Sequence, residues 1–288
     1  MAPVVFVNRF LVPKEGSSES ECEDAIGIRP DASSDEAVAY PLSAAVSDGA
    51  SESLLATRWS RLLVEHAAEV GALHPEVFDD PGTLSAELVR RAVEPWDDQI
   101  REYCSRRQTE GRPVQWYEQP GLEKGAFATL VALRLYPLPF ADPDDGGPKL
   151  YGPAEWEFHA VALGDSCLFH VSCGEVRAFP IASSAEFGLN PLLLGSRNHD
   201  VDLIASRLAH TCGHLRDGDE LLLTTDALAA WFLRGCEEQS HPWHELGDAA
   251  DKGQEEFGSW VREQRAARLM RNDDVALVRI LARTERNR

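Results

Sequence analysis

Carboxylates recur in this sequence wherever a strand-like run meets a turn. Val46-Ser47 runs into Asp48-Gly49, and Leu221-Leu222-Leu223-Thr224-Thr225 runs into Asp226. Asp273-Asp274 immediately precedes Val275-Ala276-Leu277-Val278-Arg279-Ile280, and Glu23-Asp24 stands just before Ala25-Ile26-Gly27-Ile28. A side chain at such a position sits where the backbone leaves the core. Four acidic points of this kind, none flanked by a histidine, make a set of oxygen donors suited to a hard cation. Gly49 lets the main chain approach a ligand closely and offers its own carbonyl as a further donor. Taken singly, each acid reads as an ordinary loop or cap carboxylate; the ordered set is what points to a metal.

Those acids need sheets to hold them. Phe6 to Val12 reads as a first strand, followed by a polar loop from Pro13 to Glu21. Ala25 to Ile28 and Ala37 to Val46 read as a strand pair, the second broken by Pro41. Ser51 or Ser53 then offers a helix cap, and Trp59, Leu62, Leu63, His66, Ala67 and Val70 recur at helical spacing. His66 on that apolar face reads as packed core. A second helix is expected from about Leu84 to Arg107, interrupted near Pro95.

The chain then returns to strands, over Ala126 to Tyr136, Trp156 to Leu163, Cys167 to Ser172 and Glu175 to Ile181. Gly164-Asp165-Ser166 reads as a tight turn between two of them, and Ala141 to Pro148 is a surface loop. Val201 to Ala209 and Ala227 to Gln239 are expected as helices around a Glu220 to Thr225 strand. Ser240 to Gly247 reads as a break holding His241 and His244, whose spacing suits loop packing better than metal ligation. The tryptophans sit at helical spacings and read as core. A last helix marked by Phe257, Val261, Ala266, Leu269 and Met270 precedes a core strand from Val275 to Ala282. Strands in runs, with helices between them, predict an α+β fold with mostly antiparallel sheets covered by helices.

With 288 residues, 43% of them hydrophobic, the chain can bury a substantial core. Its formal charge of −20 argues against nucleic-acid backbones and anionic membranes as partners. No apolar run is long enough for a transmembrane helix, and the start lacks a secretory signal pattern. The six cysteines form no CxxC pair and no zinc-like spacing, which suits reduced thiols in a cytoplasmic protein.

Five motifs in order carry a resemblance. Glu23-Asp24-Ala25, Val46-Ser47-Asp48-Gly49, Ala162-Leu163-Gly164-Asp165-Ser166, Leu222-Leu223-Thr224-Thr225-Asp226 and Asn272-Asp273-Asp274-Val275 resemble the metal-dependent protein phosphatases of type 2C, and most nearly their divergent bacterial branch. The likeness runs over residues 1–288 and implies one domain. It implies two mostly antiparallel β-sheets packed as a sandwich and flanked by helix pairs. By position, Asp48 would bridge two Mg2+ or Mn2+ ions. Glu23 and the Gly49 carbonyl would complete one ion's protein ligands, and Asp226 and Asp273 the other's. Asp24 and Asp274 would orient ligands or waters, and Asp165 matches one acid of a third metal site. Water activated between the ions would then attack phosphorus, with no nucleophilic side chain.

The implied activity is removal of phosphate from phosphoserine or phosphothreonine in proteins, with a cognate kinase or its substrates as partners in signalling. Departures from the family pattern motivate a second reading, a weak or inactive pseudophosphatase that binds a kinase or another regulatory partner. A third is hydrolysis of a small phosphoester. Ala227 follows Asp226, Ala230 stands where a further acid often supports the third metal, and Ala50 replaces a histidine found in eukaryotic members. Glu19 occupies the position of a phosphate-binding arginine, so Lys14 or Arg29 would have to supply the positive charge.

Overall fold

The computed structural model describes residues 3–31, 36–138, 156–188 and 191–284. Two five-stranded antiparallel sheets organise them. In the first sheet, β1 (Pro3–Val12), β12 (Val275–Thr284), β11 (Glu220–Thr224), β7 (Cys167–Ser172) and β8 (Glu175–Phe179) lie side by side in that order. In the second, the order is β10 (Ala209–Leu215), β6 (Trp156–Leu163), β5 (Leu130–Pro137), β3 (Leu42–Ser47) and β2 (Ala25–Arg29). A short pair, β4 (Phe127–Ala128) with β9 (Leu194–Gly195), lies beside them.

Alternation along each strand decides which face meets which layer. Val5 and Val7 of β1, Leu221 and Leu223 of β11, and Ala276, Val278 and Ile280 of β12 point between the sheets. There they meet Leu42, Ala44 and Val46 of β3 and Phe158, Ala160 and Ala162 of β6. The opposite residues, Phe10, Leu222 and Leu277, pack under α6 (Asp226–Glu237), α7 (Pro242–Ala250) and α8 (Gln254–Ala266). Ala45, Ala132 and Val161 on the far face of the second sheet pack under α1 (Ala56–Leu73), α2 (Pro81–Leu88) and α3 (Trp96–Thr109). Trp59 anchors that layer: it is fully buried, edge-on to Trp96 at 5.3 Å, and its indole N–H donates to the Leu194 carbonyl at 2.8 Å. The result is the expected α+β sandwich with helices on both sides. No helix among the described residues is long and apolar enough to cross a membrane, and all six cysteines are free thiols.

Several local expectations need correction. Neither Ser51 nor Ser53 caps α1: Leu55 holds the N-cap position in a left-handed conformation, while the Ser53 hydroxyl donates to the Ala50 carbonyl. Gly164-Asp165-Ser166 is not a hairpin turn, because β6 and β7 belong to different sheets and the segment crosses between them. Ala209 to Leu215 forms an edge strand; its outward residues His210, Cys212 and His214 are exposed, so it carries no apolar pattern. Residues 242–247, expected as part of a break, begin α7 instead, with Pro242 in the first turn where no N–H is needed. Trp116 stands 80% exposed rather than in the core. The Ala141 to Pro148 loop lies outside the described residues. The interruption before Pro95 is real: a π-turn at Val89–Val93, with Glu94 N–H donating to the Val89 carbonyl at 2.9 Å, separates α2 from α3.

Candidate metal centre

The strands end together at one edge of the sandwich. β3 is paired on both sides, by β2 and β5, so Asp48 leaves a fixed strand. Its N–H donates to the Thr129 hydroxyl oxygen at 3.1 Å, and Thr129 N–H donates to the Asp48 carbonyl at 2.8 Å. Thr129 is itself tied to the sheet-crossing segment through Ser166 Oγ at 2.6 Å. Ser47 Oγ donates to the Thr129 carbonyl at 2.6 Å. Two groups of Thr129 thus fix the Asp48 backbone, and the Ser47 and Ser166 hydroxyls hold Thr129 in turn. Gly49 follows with its N–H on the Glu23 carbonyl at 3.2 Å. A β-carbon there would come within 3.0 Å of that same carbonyl and of the Ala56 backbone, so the close approach of the chain needs glycine.

The other sheet contributes Asp226 and Asp273-Asp274. Thr225 precedes α6, but its hydroxyl does not cap the helix. It donates to Asp24 Oδ2 at 2.7 Å and accepts from the Ala276 N–H at 2.9 Å, so one oxygen joins β2, β12 and α6. Asp226 is the first residue of α6, where the helix dipole favours a carboxylate. Asp274 accepts the Lys14 N–H at 2.7 Å and the Glu23 N–H at 2.8 Å, which brings both ends of the 14–23 segment to its carboxylate. Arg265 grips the backbone behind Asp273, donating to the carbonyls of Asp273 and Pro13.

Electrostatics record how close the acids stand. Burial, then the charge of Asp48, holds the Asp24 carboxyl well above the usual range. Asp48 is raised in the same way by burial and by Asp226, Asp273, Asp165 and Asp274. Asp226 is raised chiefly by burial and by Asp273, although Arg271 pulls the other way. Burial, with Asp226, pushes Asp165 up to about 6, and its Oδ1 is buried without a hydrogen-bond partner. Of the expected residues, Asp165, Asp226, Asp273 and Asp274 lie within electrostatic range of Asp48, and Asp48, Asp226 and Asp274 within range of Asp24. Glu23 differs: its main chain is at the site, but its carboxylate is turned to Lys14 Nζ at 3.0 Å and to the Ser51 hydroxyl.

Among the described residues no three such side chains stand as a ready-made cage for an ion. The acids are gathered by their backbones, at electrostatic rather than coordination distance. Their chemistry nevertheless fits a divalent cation: every donor is oxygen, the carboxylates are buried or partly buried, and their like charges repel one another. Lys14 on Glu23, Arg271 on Asp226 and Arg265 beside Asp273 and Asp274 partly offset that charge. Arg29 does not take part; it lies 3.8 Å from Glu65. Thr129, Ser166, Thr225, Arg265 and Arg271 were not anticipated from the sequence. Only Thr225 carried a signal, because it directly precedes an acid at a helix start.

No protein-family model and no curated protein sequence matches this chain. Solved structures match it along nearly its whole length. The catalytic domain of the serine threonine protein phosphatase PstP in complex with two manganese ions is 17% identical, with 98% of this chain and 100% of that one covered, at a TM-score of 0.52. The Mycobacterium tuberculosis serine/threonine phosphatase PstP/Ppp is 16% identical over 98% and 100% of the two chains, at a TM-score of 0.55. PppA, a regulatory component of T6SS in Pseudomonas aeruginosa, is 15% identical over 97% and 99%, at 0.52. The chain has the fold of the type 2C serine/threonine phosphatases.

Proposed function

We propose that this chain is a single-domain, cytoplasmic phosphomonoester hydrolase dependent on Mg2+ or Mn2+, acting on phosphoserine or phosphothreonine in proteins. The observation that supports the reading is the backbone and side-chain hydrogen bonding that draws the Asp24, Asp48, Asp226 and Asp273-Asp274 segments to one edge of the sandwich, where their partly buried carboxylates repel one another. In this reading Asp48, Glu23, the Gly49 carbonyl, Asp226 and Asp273 would hold two divalent ions. Bound there, such cations would supply Lewis acidity and lower the pKa of water at the site.

The chain's own groups do the positioning. Thr129 fixes the Asp48 backbone, and Thr225 orients Asp24. Asp274 sets the Glu23 and Lys14 main chains. Lys14 and Arg271 bring positive charge to the rim, where phosphoryl oxygens carry negative charge. Lys14 and Ser51 both hold Glu23 through Oε2, which leaves Oε1 as the oxygen that would serve as a ligand.

A second reading, a pseudophosphatase that binds a kinase or another partner, is favoured by one observation. Glu23 and Asp226 already have cationic partners within the chain. Calorimetry with Mn2+, followed by turnover of an aryl phosphate and of phosphopeptides with and without EDTA, separates the two. The enzyme reading expects Mn2+ binding and turnover that EDTA abolishes. Inactivity across a range of Mn2+ concentrations would leave the binding role.

A further inference from the structure

Arg271 is placed to do more than neutralise an acid. Its guanidinium rests on Asp226, and the charges of Asp273 and Asp165 also reach it. Its side chain is still 47% exposed. Nη2 makes the Asp226 bond, and among the described residues neither Nε nor Nη1 makes a hydrogen bond. Donors of the guanidinium fork are thus left without a hydrogen bond among the described residues, on a half-exposed side chain beside the acids.

The base of this side chain is braced. The N–H groups of Leu269 and Met270 both donate to the Gln264 carbonyl, at 3.0 and 3.3 Å, and Met270 is buried. Arg234 donates to the Leu269 carbonyl at 3.2 Å, and Asn272 accepts the Glu15 N–H at 2.8 Å. The backbone on both sides of Arg271 is thus held, and its side chain reaches out from a fixed base. Lys14 is another cation at the cluster. It is a point charge, less exposed at 29%, and held by Glu23 and Ser51. A planar fork suits a tetrahedral dianion better than a single ammonium does, because two parallel N–H donors can meet two phosphoryl oxygens.

We propose that Arg271 is the phosphate anchor of this site, resting on Asp226 until a cation takes that carboxylate and then turning its fork to the phosphoryl group. The inference rests on the metal-dependent reading above and adds to it the residue that recognises the substrate's phosphate. It also makes Arg271 a competitor for the cation, since both draw on the charge of the Asp226 carboxylate.

Calorimetry on the full chain tests both halves. Mn2+ is titrated first, and inorganic phosphate is then titrated into the Mn2+-loaded protein. Arg271→Ala is expected to bind Mn2+ as tightly as the parent or more tightly, and to bind phosphate roughly ten- to a hundredfold more weakly. Arg271→Lys should lie between the two, with charge but no fork. A control, Arg268→Ala, removes a nearby cation that makes no contact with the acids and should change neither titration. Unchanged phosphate affinity in Arg271→Ala overturns the inference while leaving the metal reading intact. Loss of Mn2+ binding in that variant, with its thermal unfolding unchanged, also overturns it, because Arg271 would then support the metal ligands. Failure of the parent protein to bind Mn2+ defeats the metal reading, and the inference with it.

Discussion

The Thr225 hydroxyl lies 2.7 Å from Asp24 Oδ2 and donates to it across the gap between the two sheets. The same oxygen accepts the Ala276 N–H. Thr225→Val should therefore leave a buried carboxylate and a buried N–H without partners, at a cost of roughly 2–4 kcal/mol. Thr225→Ser keeps the hydroxyl and should lose about 1 kcal/mol or less. Urea unfolding of the metal-free proteins measures the difference, and equal stability of the two variants would count against the bridge.

Asp48 is the carboxylate pressed by most of the others. Asp48→Asn should abolish Mn2+ binding and lower turnover by more than the ~10–100-fold expected from altering a residue behind a metal ligand. The metal-free fold should be kept or slightly stabilised, since one repelling charge is gone. Calorimetry and thermal unfolding report the two effects separately.

A pH dependence follows from Asp165, whose carboxyl is pushed up to about 6 by burial and by Asp226. A raised carboxyl binds its proton more tightly in the folded state than in the unfolded chain. Its contribution is complete below the ordinary value near 4 and is lost as pH rises through about 6. Metal-free protein should thus unfold a few degrees higher at pH 5.5 than at pH 7.5, and Asp165→Asn should flatten part of that slope. A melting temperature independent of pH over this range would contradict the crowding of charge at the site.

Gly164 opens the segment that crosses from one sheet to the other, with φ +104°. A β-carbon there would lie 2.7 Å from Thr129 Cγ2, against the residue that holds Asp48. Gly164→Ala should lower stability by about 2 kcal/mol or more and weaken Mn2+ binding, both readable in one thermal titration.

Much of the scaffold was legible in advance. Trp156–Leu163 and Cys167–Ser172 form strands over the expected residues because each is a short apolar run bounded by turn residues. The acids at strand ends could be singled out for the same reason, and Asp48 lies within electrostatic range of four of them. β10 escaped notice because an edge strand with one face in solvent carries His, Thr, Cys and Gly instead of an apolar run. The carboxylate of Glu23 was expected to face the cluster; its turn toward Lys14 and Ser51 depends on a tertiary pairing that no local pattern encodes. Arg271 and Thr129 were hidden for that reason too, since their partners lie 45 and 81 residues away in the chain.

Asp274 receives the main-chain N–H of Lys14 and of Glu23 on its two oxygens, so the stretch between them is a handle closed at its root. Cys22 is buried and the Glu15 N–H is held by Asn272, but residues 16–21 between them are exposed or half-buried and need not move either attachment point when they change. The outer stretch of the handle can therefore vary while the carboxylates behind stay where they are. Variation of that edge then becomes a property of six residues, 16–21, decoupled from the acids beneath it.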